Sequence, residues 1–289
     1  MKQIVVLSGK GGTGKTFVSA SLSALAAPVV SVDCDVDAAN LALVLEGKDV
    51  HTEDFFAGQT AVIDADACTG CSDCIDECVF DALSLDESGT AVVDEHKCDG
   101  CGVCSLVCGE DAVSMKDNLA GRWFVRRTKS GYLVHAALGI AQDNSGKLVA
   151  RIRQEAVNTA ENESVNAIII DGPPGIGCPV HASVTGADLV LAVSEPTVSG
   201  IHDLKRLIDL CSHFEIKCAV VINKFDLDVS RSRQIEEMIE SSDLLSFLGK
   251  LPFDRQVPLN MALGIDPLEI SSFGPLMKNI WKKTLEMLK

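Results

Sequence analysis

Two sets of residues in this 289-residue chain are spaced for chemistry. The first is Ser8-Gly9-Lys10-Gly11-Gly12-Thr13-Gly14-Lys15-Thr16, which follows the apolar run 3–7 and fits G-x-x-x-x-G-K-[ST]. Glycines there let successive backbone N–H groups turn inward around a phosphate, Lys15 reaches the terminal phosphates, and the Thr16 hydroxyl can hold Mg²⁺. A helix expected over 15–25 points its positive end at the same anion. The second set is Cys68-x2-Cys71-x2-Cys74-x3-Cys78, repeated about thirty residues on as Cys98-x2-Cys101-x2-Cys104-x3-Cys108. Zinc sites usually pair two C-x-x-C knuckles. Three cysteines at two-residue gaps instead fit a turn wrapped around a [4Fe–4S] cube.

Carboxylates at the ends of apolar runs supply a third kind of chemistry. Run 29–32 ends in Asp33-Cys34-Asp35, and acidic residues at the C-terminal end of a strand lie beside the phosphate loop in α/β folds. One of them can orient an attacking water or join the Mg²⁺ shell. An acidic helix cap is the alternative. Run 165–170 ends in Asp171, the Walker B arrangement, in which the carboxylate holds Mg²⁺ through water.

The elements that must position these groups follow from composition and pattern. Nearly half the residues are apolar and no run of 18 apolar residues occurs, so the chain is globular without a membrane span. Its first expected strand starts within three residues of Met1, leaving no room for a signal peptide and pointing to the cytoplasm, where clustered cysteines are metal ligands rather than disulfides. Net charge is −16, which argues against a nucleic-acid backbone as partner. Residues 61–117 carry fourteen acidic residues against Lys97 and Lys116, net −12, leaving −4 for the rest. Charge and cysteines thus divide the chain alike, with one unit over 1–59 and 118–289 and an insert over 60–117. Within the insert, 82–85 and 90–93 flank Asp86-Glu87-Ser88-Gly89, a hairpin pattern.

The pattern K-G-G-x-G-K-T, with a second lysine at Lys10, resembles the deviant Walker A of the MinD/ParA/Mrp/nitrogenase-iron-protein superfamily of dimeric ATPases. The resemblance covers essentially the whole chain. It implies a P-loop α/β fold, a mostly parallel sheet flanked by helices, and a homodimer in which Lys10 crosses to the partner's ATP. Asp33-x-Asp35-x4-Asn40 matches the family pattern, which makes Asp35 the residue that positions water. Asp171-Gly172-Pro173-Pro174-Gly175 resembles the second switch, in wording closest to the Mrp branch. Asn223-Lys224 after strand 217–222 resembles the adenine-contacting loop, and Pro252-Phe253-Asp254 the second base-side loop.

The insert resembles a bacterial-type dicluster ferredoxin, with Val79 and Gly109 where proline usually follows the fourth cysteine. That resemblance implies two [4Fe–4S] clusters with exchanged fourth ligands, one on Cys68, Cys71, Cys74 and Cys108, the other on Cys98, Cys101, Cys104 and Cys78. Cys178, seven residues after Asp171, matches one of two bridging-cluster ligands of the nitrogenase iron protein. The other is missing, so a buried or interface thiol is expected there.

Three further stretches have plainer readings. Arg122-Trp123-Phe124-Val125-Arg126-Arg127-Thr128-Lys129 is basic and aromatic, and is expected as a counter-charge or solvated strand rather than a nucleic-acid site. Asn144-Ser145-Gly146-Lys147 reads as a turn and cap before a helix over 148–157. The last helix, 273–288, gathers Phe273, Leu276, Met277, Ile280, Leu285 and Leu288 on one face and is expected in the core rather than on a membrane. The reading that unites all this is a Mg²⁺-dependent ATPase whose ATP-driven dimerisation gates electron flow from two [4Fe–4S] clusters to a redox or iron–sulfur partner protein. The alternative is an iron–sulfur assembly or carrier ATPase of Mrp type. A positioning or partition ATPase and an amidotransferase-type ligase rank below both.

Overall fold

The computed structural model describes residues 1–139, 145–242, 244–270 and 272–289. Two compact units result: one of Met1–Glu53, Arg122–Leu138 and Ser145–Lys289, the other of Asp54–Gly121 with Gly139.

The larger unit is an α/β fold with a mostly parallel sheet. Its strands are β1 (Lys2–Leu7), β2 (Val29–Asp33), β7 (Gly131–Leu138), β8 (Ala167–Asp171), β9 (Leu189–Ser194), β10 (Lys217–Asn223) and β11 (Leu245–Leu251). They lie in the order β11-β10-β9-β1-β8-β2-β7, and every one of these neighbours runs parallel. Sequence dictates this arrangement. Runs such as 189–193 are apolar at every position rather than alternating, which suits a strand covered on both faces. Helices α1 (Lys15–Leu25), α5 (Ser145–Asn162), α7 (Val198–His213), α8 (Val229–Glu240) and α10 (Gly274–Met287) supply that cover. One core joins Ile4, Val6 and Leu191 of the sheet to Phe17 and Leu22 of α1 and to Phe273, Met277 and Ile280 at the chain end. Phe17 and Phe273 meet edge to face at 5.2 Å. Each fully buried aliphatic side chain of this kind stabilises by roughly 1.5–3 kcal/mol.

Two long strands complete the sheet order beyond β7: β6 (Val113–Thr128), then β3 (Gly47–Ile63) at the edge. Both extend past the boundaries at 60 and 117 expected from composition, so the division falls within strands rather than at linkers. The basic tract 122–129 is part of β6 and its turn. Trp123 is buried, with the Arg151 guanidinium 4.6 Å from its ring, and Arg126 pairs with Asp49 at 2.7 Å. Of its charges, that of Arg126 is thus paired within the fold, while Arg122, Arg127 and Lys129 are exposed.

The smaller unit holds α3 (Asp73–Asp76), β4 (Leu83–Leu85), β5 (Ala91–Val93) and α4 (Val103–Val107). β4 and β5 pair antiparallel across the expected Asp86–Gly89 turn. Its core is small: Ala61, Leu83, Ala91 and Val113 pack with Cys74 and Cys104. The sequence repeat is also a backbone repeat. Gly70 and Gly100 both have φ +71°, Ser72 and Gly102 +74° and +75°, Asp81 and Asp111 +50° and +51°.

Three expectations need correcting. Helix α5 is longer than 148–157 at both ends: Ser145, Gly146 and Lys147, expected as a turn, already belong to it, and its buried face runs on through Thr159 and Ala160; the Asn144 cap lies outside the described residues. In α10, Leu285 is 43% exposed, since the buried face runs through Met277, Ile280 and Thr284 and turns away from it. Of the two readings of Cys178, buried or interface thiol, the buried one is wrong: the thiol is exposed, because α6 (Cys178–Val184) begins there and turns Val180, Ser183 and Val184 inward instead.

Candidate functional site

The phosphate loop leaves β1 between two strands that end in functional groups. Register places Val6 beside Asp171 of β8, and Asp171 beside Asp33 of β2. Carboxylates thus gather at the C-terminal ends of adjacent parallel strands, where open α/β sheets bind ligands. Gly12 and Gly14 take φ of +78° and +91°. A Cβ at Gly11 or Gly12 would meet nothing within 4 Å, whereas one at Gly14 would stand 2.2 Å from the Asn223 side-chain nitrogen. The loop is therefore open on the side facing its cavity and tight against β10.

Lys15 is buried and donates to Asp171 at 3.0 Å, with Asp35 4.0 Å away. Ser19, one turn along α1, donates to the same Asp171 oxygen at 2.8 Å. Burial works to lower the Lys15 pKa, but the charge and hydrogen bond of Asp171 outweigh it and hold the ammonium above its ordinary value. Asp33 accepts from the amides of Leu41 (2.9 Å) and Asp35 (3.1 Å). Burial first, then the charge of Asp171, pushes its carboxyl up to about 7. Burial also raises Asp35, against the pull of Lys15. One buried ammonium thus faces three carboxylates, an arrangement suited to accepting a divalent cation between carboxylate and phosphate.

A cavity of about 840 Å³ opens over this group. Lys10, Gly11, Gly12, Thr13, Gly14, Lys15, Thr16 and Asp35 line it, and so do Asn223, Lys224, Pro252 and Asp254. Gly9 stands outside, packed so closely on α7 that a Cβ would fall 2.0 Å from that of Asp203. Asp171 reaches the cavity through Lys15. Asn223 donates to the Thr13 carbonyl at 2.7 Å and Lys224 to the Gly12 carbonyl at 2.7 Å, which ties the loop to the end of β10. The far wall is apolar, with Val257, Pro258 and Met261 of α9 (Gln256–Ala262) opposite Leu43 and Val44 of α2 (Leu41–Val44). A cationic, glycine-rich end and an apolar end suit a nucleotide. Sequence reasoning missed this apolar wall and also Glu195, whose carboxylate holds Lys10 at 2.5 Å and Lys224 at 3.1 Å. No motif marks either; the only signal for Glu195 is a charge closing an apolar strand.

The eight clustered cysteines sort into two hollows of the smaller unit. Cys68, Cys71, Cys74 and Cys108 line one, and Cys78, Cys98, Cys101 and Cys104 the other. The amide of Ala112 donates to Cys108 Sγ at 3.3 Å. Among the described residues, no three His, Cys, Asp or Glu side chains stand close enough to hold a single metal ion. Ligands of one Zn²⁺ must bring their sulfurs within about 4 Å of each other, given Zn–S bonds of about 2.3 Å. Four thiols are a donor set that a four-iron cluster can take.

No helix among the described residues is long and apolar enough to cross a membrane. The profile of the CobQ/CobB/MinD/ParA nucleotide-binding domain matches residues 4–268. An uncharacterised protein of Methanocaldococcus jannaschii is 35% identical over 99% of this chain and 97% of its own length. An uncharacterised ATP-binding protein of the same organism is 26% identical over 90% of this chain and 78% of its own. Among solved structures, the septum site-determining protein MinD of Pyrococcus horikoshii, complexed with Mg-ADP, superposes with a TM-score of 0.60 at 18% identity, covering 98% of this chain and 95% of that one. With its phosphate loop, flanking carboxylates and parallel sheet, the chain belongs to the CobQ/CobB/MinD/ParA nucleotide-binding family.

Proposed function

We propose that the protein is a Mg²⁺-dependent ATPase whose nucleotide-driven dimerisation gates electron transfer from two [4Fe–4S] clusters to a protein partner. Family membership and the cavity over residues 10–16 support the ATPase half. In this reading Lys15 leaves Asp171 for the terminal phosphates, Thr16 and Asp171 hold Mg²⁺, and Asp35 orients the attacking water or completes the Mg²⁺ shell. Asn223, Lys224, Pro252 and Asp254 border the base, and Lys10 reaches the partner's nucleotide.

One observation carries the iron–sulfur half: each hollow draws three cysteines from one run and its fourth from the other. Cys108 joins Cys68, Cys71 and Cys74, while Cys78 joins Cys98, Cys101 and Cys104. Left-handed backbone at Gly70, Ser72, Gly100 and Gly102 curls each triad around its hollow. Ser72 accepts that conformation with a side chain, a cost that is found chiefly where a site demands it. Bound there, clusters supply one-electron redox chemistry at a potential set by charge, hydrogen bonds to sulfur and exposure.

A carrier role of Mrp type has less support. Cys211 and Cys218 are buried, so they offer no accessible thiol pair. The deciding experiment is anaerobic purification with iron and sulfide quantitation, then EPR-monitored reduction with and without Mg-ATP. About eight irons per chain and cluster potentials or partner reduction rates that move with Mg-ATP are expected. Stoichiometric zinc in place of iron would sink the cluster reading, and indifference to ATP the gating.

A further inference from the structure

We propose that Glu195 is a positioning residue of the phosphate-loop cavity, holding Lys10 and Lys224 on one carboxylate so that an incoming phosphate must take Lys10 away from it. The inference rests on reading that cavity as the ATP site. Three neighbouring strands of the sheet, β10, β9 and β1, deliver the parts to one edge. Glu195 directly follows β9, its side chain only 11% exposed, with one oxygen 2.5 Å from Lys10 Nζ and the other 3.1 Å from Lys224 Nζ. Lys10 also donates to Ser199 Oγ at 3.0 Å and Thr197 Oγ1 at 3.4 Å, both just beyond the same strand. Lys224 is held at φ +57°, a left-handed position for a side-chain-bearing residue, and its second bond runs to the Gly12 carbonyl.

The consequence is electrostatic. A single carboxylate of low exposure holds both ammonium groups and offsets one of their two positive charges in advance. Burial works to raise the Glu195 carboxyl, but the bonds from Lys10 and Lys224 outweigh it, so the group is a full anion at neutral pH. A triphosphate bound in the partner's loop competes with that anion for Lys10 when the dimer closes. Removing the charge while keeping the shape leaves the lysines uncompensated and favours the phosphate.

Mg-ATP titration of the full-length chain tests this with Glu195→Gln, Lys10→Met and the double variant. Glu195→Gln is expected to lower the Kd by up to about fivefold, the equivalent of one close charge pair at partial exposure. The gain should largely vanish in the Lys10→Met background. An unchanged or higher Kd in Glu195→Gln while the wild-type protein binds Mg-ATP, or an equal gain without Lys10, overturns the proposal alone. Failure of the wild-type chain to bind Mg-ATP overturns the ATP reading and this proposal together. Against the chance that the variants do not fold, wild-type protein can be reductively methylated with ¹³C-formaldehyde and the Lys10 signal assigned by Lys10→Arg. That signal is expected to move when Mg-ATP is added; a stationary one overturns the proposal.

Discussion

Lys15 and Asp171 show how a binding residue is stored before it binds. Each is almost wholly buried, and each is the other's main partner. Replacing Lys15 with Met strands a buried carboxylate with only Ser19 to satisfy it, a loss of about 3 kcal/mol in unfolding free energy. The double variant Lys15→Met/Asp171→Asn should recover most of that stability while still failing to bind Mg-ATP. Urea denaturation and nucleotide titration on the three proteins check both halves, and persistent instability of the double variant would count against the pair. These residues were legible because their motifs encode geometry: G-x-x-x-x-G-K-[ST] fixes a turn, and an aspartate closing a buried strand has only one place to go. Glu195 was not legible. Nothing local sets it apart from any charge after an apolar strand, and its partners lie 185 residues back at Lys10 and 29 residues on at Lys224.

Among the elements, α7 and the edge strands carry the informative contacts. Gly9 lets the phosphate loop lie directly on α7, so Gly9→Ala must push Asp203 and its helix aside. A destabilisation of about 1–3 kcal/mol is expected from such overpacking, together with weaker nucleotide binding, measured by thermal unfolding and titration. On the β3 and β6 strands, the hydrogen bond from Arg126 comes first among the causes that hold the Asp49 carboxyl below its ordinary range, in spite of burial. A depressed carboxylate stabilises above its unfolded pKa and loses that contribution as pH falls through the folded value. Arg126→Met should therefore cost no more than about 1 kcal/mol at neutral pH, as an exposed pair does, and should flatten the loss of stability below about pH 4. The parallel strands were readable from continuous apolar runs. β3 was not, because its residues are nearly all exposed up to Ala61 and leave no alternation of buried and open positions to read. Cys178 and Leu285 mark the same limit. Helical spacing gives a stripe, but the stripe's edges depend on what packs against it.

At the scale of the whole molecule, one chain joins a nucleotide fold to a cysteine-bearing unit, and the cysteine sets make the arrangement testable by counting iron. In the exchanged arrangement Cys71 and Cys108 serve the same cluster, so Cys71→Ser/Cys108→Ser should keep about four of about eight irons. If each run instead served its own cluster, the same pair of changes would remove nearly all of them. The exchange also has a consequence in time. A chain leaving the ribosome presents Cys68, Cys71 and Cys74 first, yet their set stays open until Cys108 has been made. The other set begins with Cys78 and closes only at Cys104. At about 5–20 residues per second, the earliest thiols wait a few seconds, and then both sets are completed within four residues of each other. In the proposed cluster arrangement, metal loading is thereby deferred to a single late moment of synthesis, when nearly the whole of the smaller unit has been made.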